Sequence, residues 1–248
     1  MPEVTALFWV IKGLSTAMGE STSDFLVHAM PPVAAVLLGF VAFTAALLLQ
    51  FRVARYYAPA YWLAVVMVGT FGTMAADVLH VGLGVPYPVS SLLFAVGLAA
   101  VFVLWRRTEG TLSIHSVDTP RRELFYWAAV VATFAMGTAL GDFTAYTLHL
   151  GYFPSALIFA AFIAVPAVGF RWLRWNAVFS FWFAYVLTRP LGASIADGLA
   201  KPASSKGLGL GSGLVALGFG LVIVALVAYL TVSEADVQAA PTLESEGA

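Results

Sequence analysis

Apolar positions in this chain come in long unbroken blocks, with polar residues confined to the gaps between blocks and to a few recurring places inside them. The blocks cover residues 4–28, 32–51, 58–82, 87–105, 123–148, 153–172, 177–199 and 209–231. Each is near the ~20 residues that a helix needs to cross the hydrocarbon core of a bilayer. The pattern predicts an all-α integral membrane protein with eight transmembrane helices. The first block lacks a basic leader and a clear cleavage site, so it reads as a retained span and not as a signal peptide.

The polar positions inside the blocks keep a register. Trp is followed ten residues on by Gly and five further on by Asp, four times: Trp9, Gly19, Asp24; Trp62, Gly72, Asp77; Trp127, Gly137, Asp142; Trp182, Gly192, Asp197. Self-similarity at fixed spacing marks tandem repeats, here four, each of two spans. Two spans per repeat point every copy the same way, so the expected packing is four parallel two-helix units with pseudo-fourfold or nested pseudo-twofold symmetry, the odd helices toward the middle. The Asp-to-Asp intervals are 53, 65 and 55 residues, the longest containing a polar insert. The chain therefore divides into a first half (1–105, repeats 1 and 2), a cytoplasmic linker (106–122), a second half (123–232, repeats 3 and 4) and a polar, acidic tail (233–248) expected to be disordered.

Composition agrees. With 61% hydrophobic and 10% charged residues over 248 positions, and a mean hydropathy of +0.91, a soluble domain is excluded. A net charge of −1 gives no reason to expect nucleic acid. There is no Cys, which removes disulfides, thiolate metal sites and thiol catalysis. Arg52, Arg55, Arg106, Arg107, Arg121, Arg122, Arg171 and Arg174 follow the even spans, against Lys201 and Lys206 on the opposite side. The positive-inside rule then puts both termini in the cytoplasm. The four Trp start the odd spans at the inner interface, where an amphipathic indole is comfortable, and each Asp lies roughly 22 Å further along the helix, toward the outer third.

Ionisable groups at membrane depth are costly and are functional candidates by default. Asp24, Asp77, Asp142 and Asp197 share one repeat position, and Glu20 joins them as the fifth acid inside the spans. Polar neighbours recur at helical spacing: Glu20, Asp24 and His28; Thr73, Asp77 and His80; Thr138, Asp142 and His149. Carboxylates, hydroxyls and imidazoles converging from several helices suit a hard or borderline divalent cation. The fourth copy departs, with Ala193 in place of the hydroxyl and no His, so the site is expected to be asymmetric. The repeated Gly lies 140° around the helix from its Asp and reads as a point of close helix approach. Lys12 and Arg189 are too far from acids on their own helices to pair with them, which leaves acids on other helices or, for Lys12, snorkelling inward, and Thr188 to Gly192 reads as a helix break around Pro190 or as a kinked helix with a charge-paired Arg189. The Gly207, Gly209, Gly211 and Gly213 run follows no strand, which excludes a phosphate loop. No catalytic triad, zincin motif or nucleophile elbow is present, so no enzyme is expected.

The four copies of Trp, Gly and Asp in two-span units resemble a bacterial family of membrane-anchored proteins built from four tandem repeats of unknown function. The resemblance covers about residues 3 to 231 and implies a bacterial inner-membrane location. It implies no reaction, so the functional expectation rests on the acids. That expectation is transport of an inorganic cation, a divalent metal such as manganese, through a central Asp-lined pathway, with proton exchange as the natural mechanism because protons compete for the same carboxyls. Asp24, Asp77, Asp142 and Asp197 are the expected metal ligands, with Glu20, His28 and His80 as auxiliaries, and no covalent cofactor. The expected partners are the lipid bilayer and the cation, a homo-oligomer being compatible with both. Two other classes fit the same residues: a haem- or quinone-binding redox subunit using His28, His80 or His149 as axial ligands, and a non-transporting scaffold.

Overall fold

Several helices start where a side chain or a proline settles the first turn. Thr5, Thr119 and Asn176 accept from the backbone N–H three residues on, those of Phe8, Arg122 and Phe179. Pro32, Pro59, Pro88 and Pro120 sit in the first two positions of their helices, where a missing N–H costs nothing. The computed structural model describes residues 1–53 and 55–237. Among these there are eight long α-helices and no strand. They are α1 (Ala6–Ala29), α2 (Pro32–Arg52), α3 (Ala58–Asp77), α4 (Tyr87–Glu109), α5 (Pro120–Asp142), α6 (Tyr152–Trp172), α7 (Ala177–Ala200) and α8 (Ser212–Ser233).

Six of them, α2, α3, α4, α5, α6 and α8, are long and apolar enough to cross a membrane. The other two, α1 and α7, are the helices that carry buried basic residues: α1 holds Lys12, Glu20 and Asp24, and α7 holds Arg189 and Asp197. The even helices turn most of their apolar side chains outward, as a lipid-facing surface does. The odd helices pack on one another: α1 on α3 and α7, and α5 on α3 and α7. Each even helix then lies against the odd helix of the following repeat, α2 on α3, α4 on α5 and α6 on α7, and α8 returns to α1.

The repeated glycines make this packing close. A Cβ on Gly19 would lie 2.8 Å from the Gly69 backbone, and one on Gly72 would lie 2.9 Å from Phe134. On Gly137 it would fall inside the Arg189 side chain, and on Gly192 inside that of Thr16. Gly69, Phe134, Arg189 and Thr16 occupy one repeat position, seven residues after each Trp. Every repeat thus presents its glycine to the same position of the next copy, as small residues do where membrane helices touch.

Some expectations change. Trp62, Trp127 and Trp182 are buried against tyrosines and phenylalanines and do not face outward, because the inner helices turn that face toward each other. α7 runs through Pro190 without a break. The linker packs onto the bundle: Ile114 is buried, and the Leu112 carbonyl accepts from the Trp182 indole at 2.9 Å. Gly207, Gly209 and Gly211 belong to the loop after α7, whose backbone N–H groups at Leu208, Gly209, Leu210 and Gly211 donate to the carbonyls of Gly198, Lys201, Leu199 and Ala200, and Gly213 lies in the first turn of α8 against Phe25. Of the tail, Asp236 is buried and tied to the Tyr56 hydroxyl and to the Glu3 N–H, whereas residues 238–248 lie outside the described part.

Candidate functional site

The centre of the bundle is organised by Arg189, which is fully buried. Its Nη2 donates to Glu20 Oε2 at 2.6 Å, to Thr138 Oγ1 at 2.6 Å and to Thr73 Oγ1, and its Nη1 donates to the Thr16 carbonyl at 3.2 Å. Thr73 Oγ1 also lies 3.2 Å from Glu20 Oε2. Glu20, Thr73 and Thr138 are the same repeat position on α1, α3 and α5, eleven residues after each Trp. The fourth copy has Ala193 there, and the vacant place is taken by the arginine one turn earlier on the same helix. A guanidinium is always charged and presents several donors in a fixed plane, which lets one side chain satisfy groups on three other helices.

One turn beyond this level come the four repeat aspartates. Asp24 and Asp197 are buried, and both pair with Lys201, whose Nζ contacts Asp24 Oδ2 and lies 3.7 Å from Asp197 Oδ1. Burial pulls the Lys201 ammonium down, but Asp197 and Asp24 outweigh this and hold it above the usual lysine range. The sign follows from that shift: the pair stays charged up to strongly alkaline pH, so the contact is lost only above the ordinary lysine value. Asp77 and Asp142 are half-buried and have neither a hydrogen bond nor an ion pair among the described residues. Both lie within electrostatic reach of Glu20 and of other acids in the group, and also of the Lys201 ammonium, Asp77 of Arg189 as well. After each, the helix widens into a single π-helical turn, Val78–Gly82 and Phe143–Thr147. Such turns are rare and concentrate at functional sites.

Below Arg189 sits Lys12, also fully buried. Its Nζ is 4.1 Å from the ring centres of Phe134 and Tyr185 and has no hydrogen-bond acceptor. The Arg189 guanidinium carbon stands 5.2 Å from the same Phe134 ring. Further inward the Tyr61 and Tyr126 hydroxyls bond each other at 2.5 Å.

The histidines stand apart from this column. His28 is exposed, with Nδ1 2.6 Å from the Asp24 carbonyl; His80 Nδ1 is 2.6 Å from the Val85 carbonyl and its ring stacks on Tyr87; His149 is exposed at positive φ. Among the described residues, no three or more His, Asp or Glu side chains come together as a ready-made metal site. Two grooves, of about 580 and 460 Å³, open on the flanks of the bundle, and neither is lined by a repeat aspartate.

Sequence reasoning missed Lys201, because its position in the loop after α7 says nothing of the carboxylates it folds back to meet. It also missed Thr16 and the tyrosines below Lys12. The repeat alignment held a signal for the arginine: Ala193 breaks the Glu20, Thr73, Thr138 series in the very repeat that places a basic residue one turn away.

An all-helical, multi-pass membrane protein built from tandem repeats is the class defined by these features. Four consecutive matches to the Repeat of Unknown Function (DUF347), at residues 7–56, 60–111, 125–174 and 180–236, span nearly the whole chain, and the protein belongs to that family. Neither a curated protein nor a solved structure matches it.

Proposed function

We propose that the protein is a carrier for an inorganic cation, a divalent metal such as manganese, working in exchange for protons in the bacterial inner membrane. In this reading all eight helices cross the bilayer with both termini in the cytoplasm, and the repeats stand about a pseudo-fourfold axis. The observation that carries it is the convergence of Glu20, Thr73 and Thr138 on Arg189. Three copies of one repeat position meet at one point, so the aspartates one turn further on surround the same line. Two of these aspartates, Asp77 and Asp142, have no partner, which is costly at membrane depth unless a cation visits. The Arg189–Glu20 pair blocks the column beneath them, as expected of a carrier closed toward one side. The cation would draw the separate carboxylates together on binding.

Asp77→Asn is expected to abolish Mn²⁺ flux in proteoliposomes while leaving the thermal unfolding of the purified protein unchanged, because the Asp77 carboxyl has no hydrogen bond or ion pair to lose. Wild-type flux in that variant would remove Asp77 from the pathway. Lys201→Met withdraws a positive charge from Asp24 and Asp197, and should tighten Mn²⁺ binding about tenfold, a difference of ~1.4 kcal/mol. Calorimetric titration reads that change directly.

A further inference from the structure

Lys12 is a fully buried amine for which the transport reading has no use so far. Structural lysines in membrane helices snorkel to an interface or pair with an acid. Lys12 does neither. Its Nζ is held between two aromatic faces, Phe134 and Tyr185, and has no acceptor. The rings hold an ammonium by cation–π attraction, while a neutral amine there goes without a partner at far smaller cost than an isolated charge. The pocket therefore accommodates both protonation states.

Its neighbours connect it in both directions. On the outer side Arg189 shares the Phe134 ring with it, and Arg189 is bound to Glu20, next to the aspartates. On the inner side Tyr185 lies within interaction range of Tyr61 and Tyr126, whose hydroxyls are bonded together. Tyr61 packs on Tyr56, whose hydroxyl meets Asp236 near the inner end. The charged and ionisable groups against Lys12 are thus Arg189 and Tyr185 on α7, while Tyr61 on α3 and Tyr126 on α5 are reached only through Tyr185. α2 has only Arg52, at its inner end, and α8 has no Asp, Glu, Lys, Arg or His.

We propose that Lys12 carries the exchanged proton, between the outer carboxyls and the tyrosine column that leads to the inner end. When a cation leaves the carboxylates outward, a proton takes its place as a carboxyl O–H, and that bond breaks as the proton passes to the neutral Lys12 nitrogen and forms an N–H bond. The ammonium then gives a proton to the hydroxyl column and returns to the neutral amine, each O–H breaking as the next forms, and the last proton passes by way of Tyr56 and Asp236 to water at the inner end. This inference rests on the transport reading, and deepens it by separating the proton's route from the cation's site.

The test uses the full chain and Mn²⁺. The protein has three lysines, Lys12, Lys201 and Lys206, so the ¹³Cε signal of Lys12 in lysine-labelled protein is assigned by its loss in Lys12→Met. It should titrate over the range in which the protein is folded, with a midpoint that moves when Mn²⁺ is added. A signal locked in one protonation state, with and without Mn²⁺, overturns the proposal. In proteoliposomes holding a pH dye, Lys12→Met should keep Mn²⁺/Mn²⁺ exchange at equal pH and lose proton movement about tenfold or more, as on removing a proton-transferring group. Lys12→Arg, permanently charged, should lose it likewise. Wild-type proton movement in either variant also overturns the proposal. If wild-type protein moves no Mn²⁺, the transport reading falls, and the lysine titration still decides whether Lys12 exchanges a proton.

Discussion

Arg189→Met is expected to be the most damaging single substitution in the protein. It leaves the Glu20 carboxylate in the bundle centre with only the Thr73 hydroxyl, and strips Thr138 of its donor. Breaking a buried pair by removing one partner costs about 3–5 kcal/mol, since a bare charge is left in a medium that cannot solvate it. Denaturant unfolding in detergent micelles would read this as a large fall in midpoint. The double variant Glu20→Met/Arg189→Met should recover most of the loss, because both charges leave together and methionines fill similar volume. A double variant as unstable as the single one would mean that the arginine acts through its packing and not through its charge.

The second large effect is steric. Gly137→Ala and Gly192→Ala each place a methyl group where Arg189 and Thr16 already stand, and neither side chain is met at a flexible far end. Overpacking of this kind costs about 1–3 kcal/mol and sometimes more. Gly97→Ala and Gly218→Ala are the controls. Both glycines lie within helices with open space where a Cβ would go, so alanine should be neutral or gain up to about 1 kcal/mol from helix propensity. Melting temperatures of the four variants would separate the two pairs. Because Gly137 seats Arg189, its substitution should also reduce Mn²⁺ flux, whereas the controls should transport normally.

The helices were legible because their signals are local. Unbroken apolar blocks, prolines at helix starts and the Trp–Gly–Asp register bring the expected spans within a few residues of the observed helices, as at 58–82, where α3 and its π turn end together. The role of the repeated glycines was legible too, since a small residue recurring on one helix face has few uses other than close approach. What could not be read is anything that depends on which side chain stands across a contact. Helical periodicity tells which face a residue occupies and not what faces it. Arg189 therefore fitted a broken helix as well as a charge-paired one, when its charge is answered by Glu20 from 169 positions away and Pro190 is absorbed without a break. The π turns after Asp77 and Asp142 left no mark either, as widening a helix by one residue takes no special amino acid.

The return of α8 to α1 has a bearing on how the molecule is made. Synthesis delivers α1 ahead of the other seven helices, with Lys12, Glu20 and Asp24 aboard, and the groups that answer two of those charges, Arg189 and Lys201, emerge only with the fourth repeat, Arg189 169 residues after Glu20. Until then α1 holds its charges against lipid tails without an answer, lacking both its ionic counterparts and the neighbour that shields its flank. A ribosome stalled after α6 would leave it stranded, so the newborn protein becomes self-sufficient only on arrival of its final repeat.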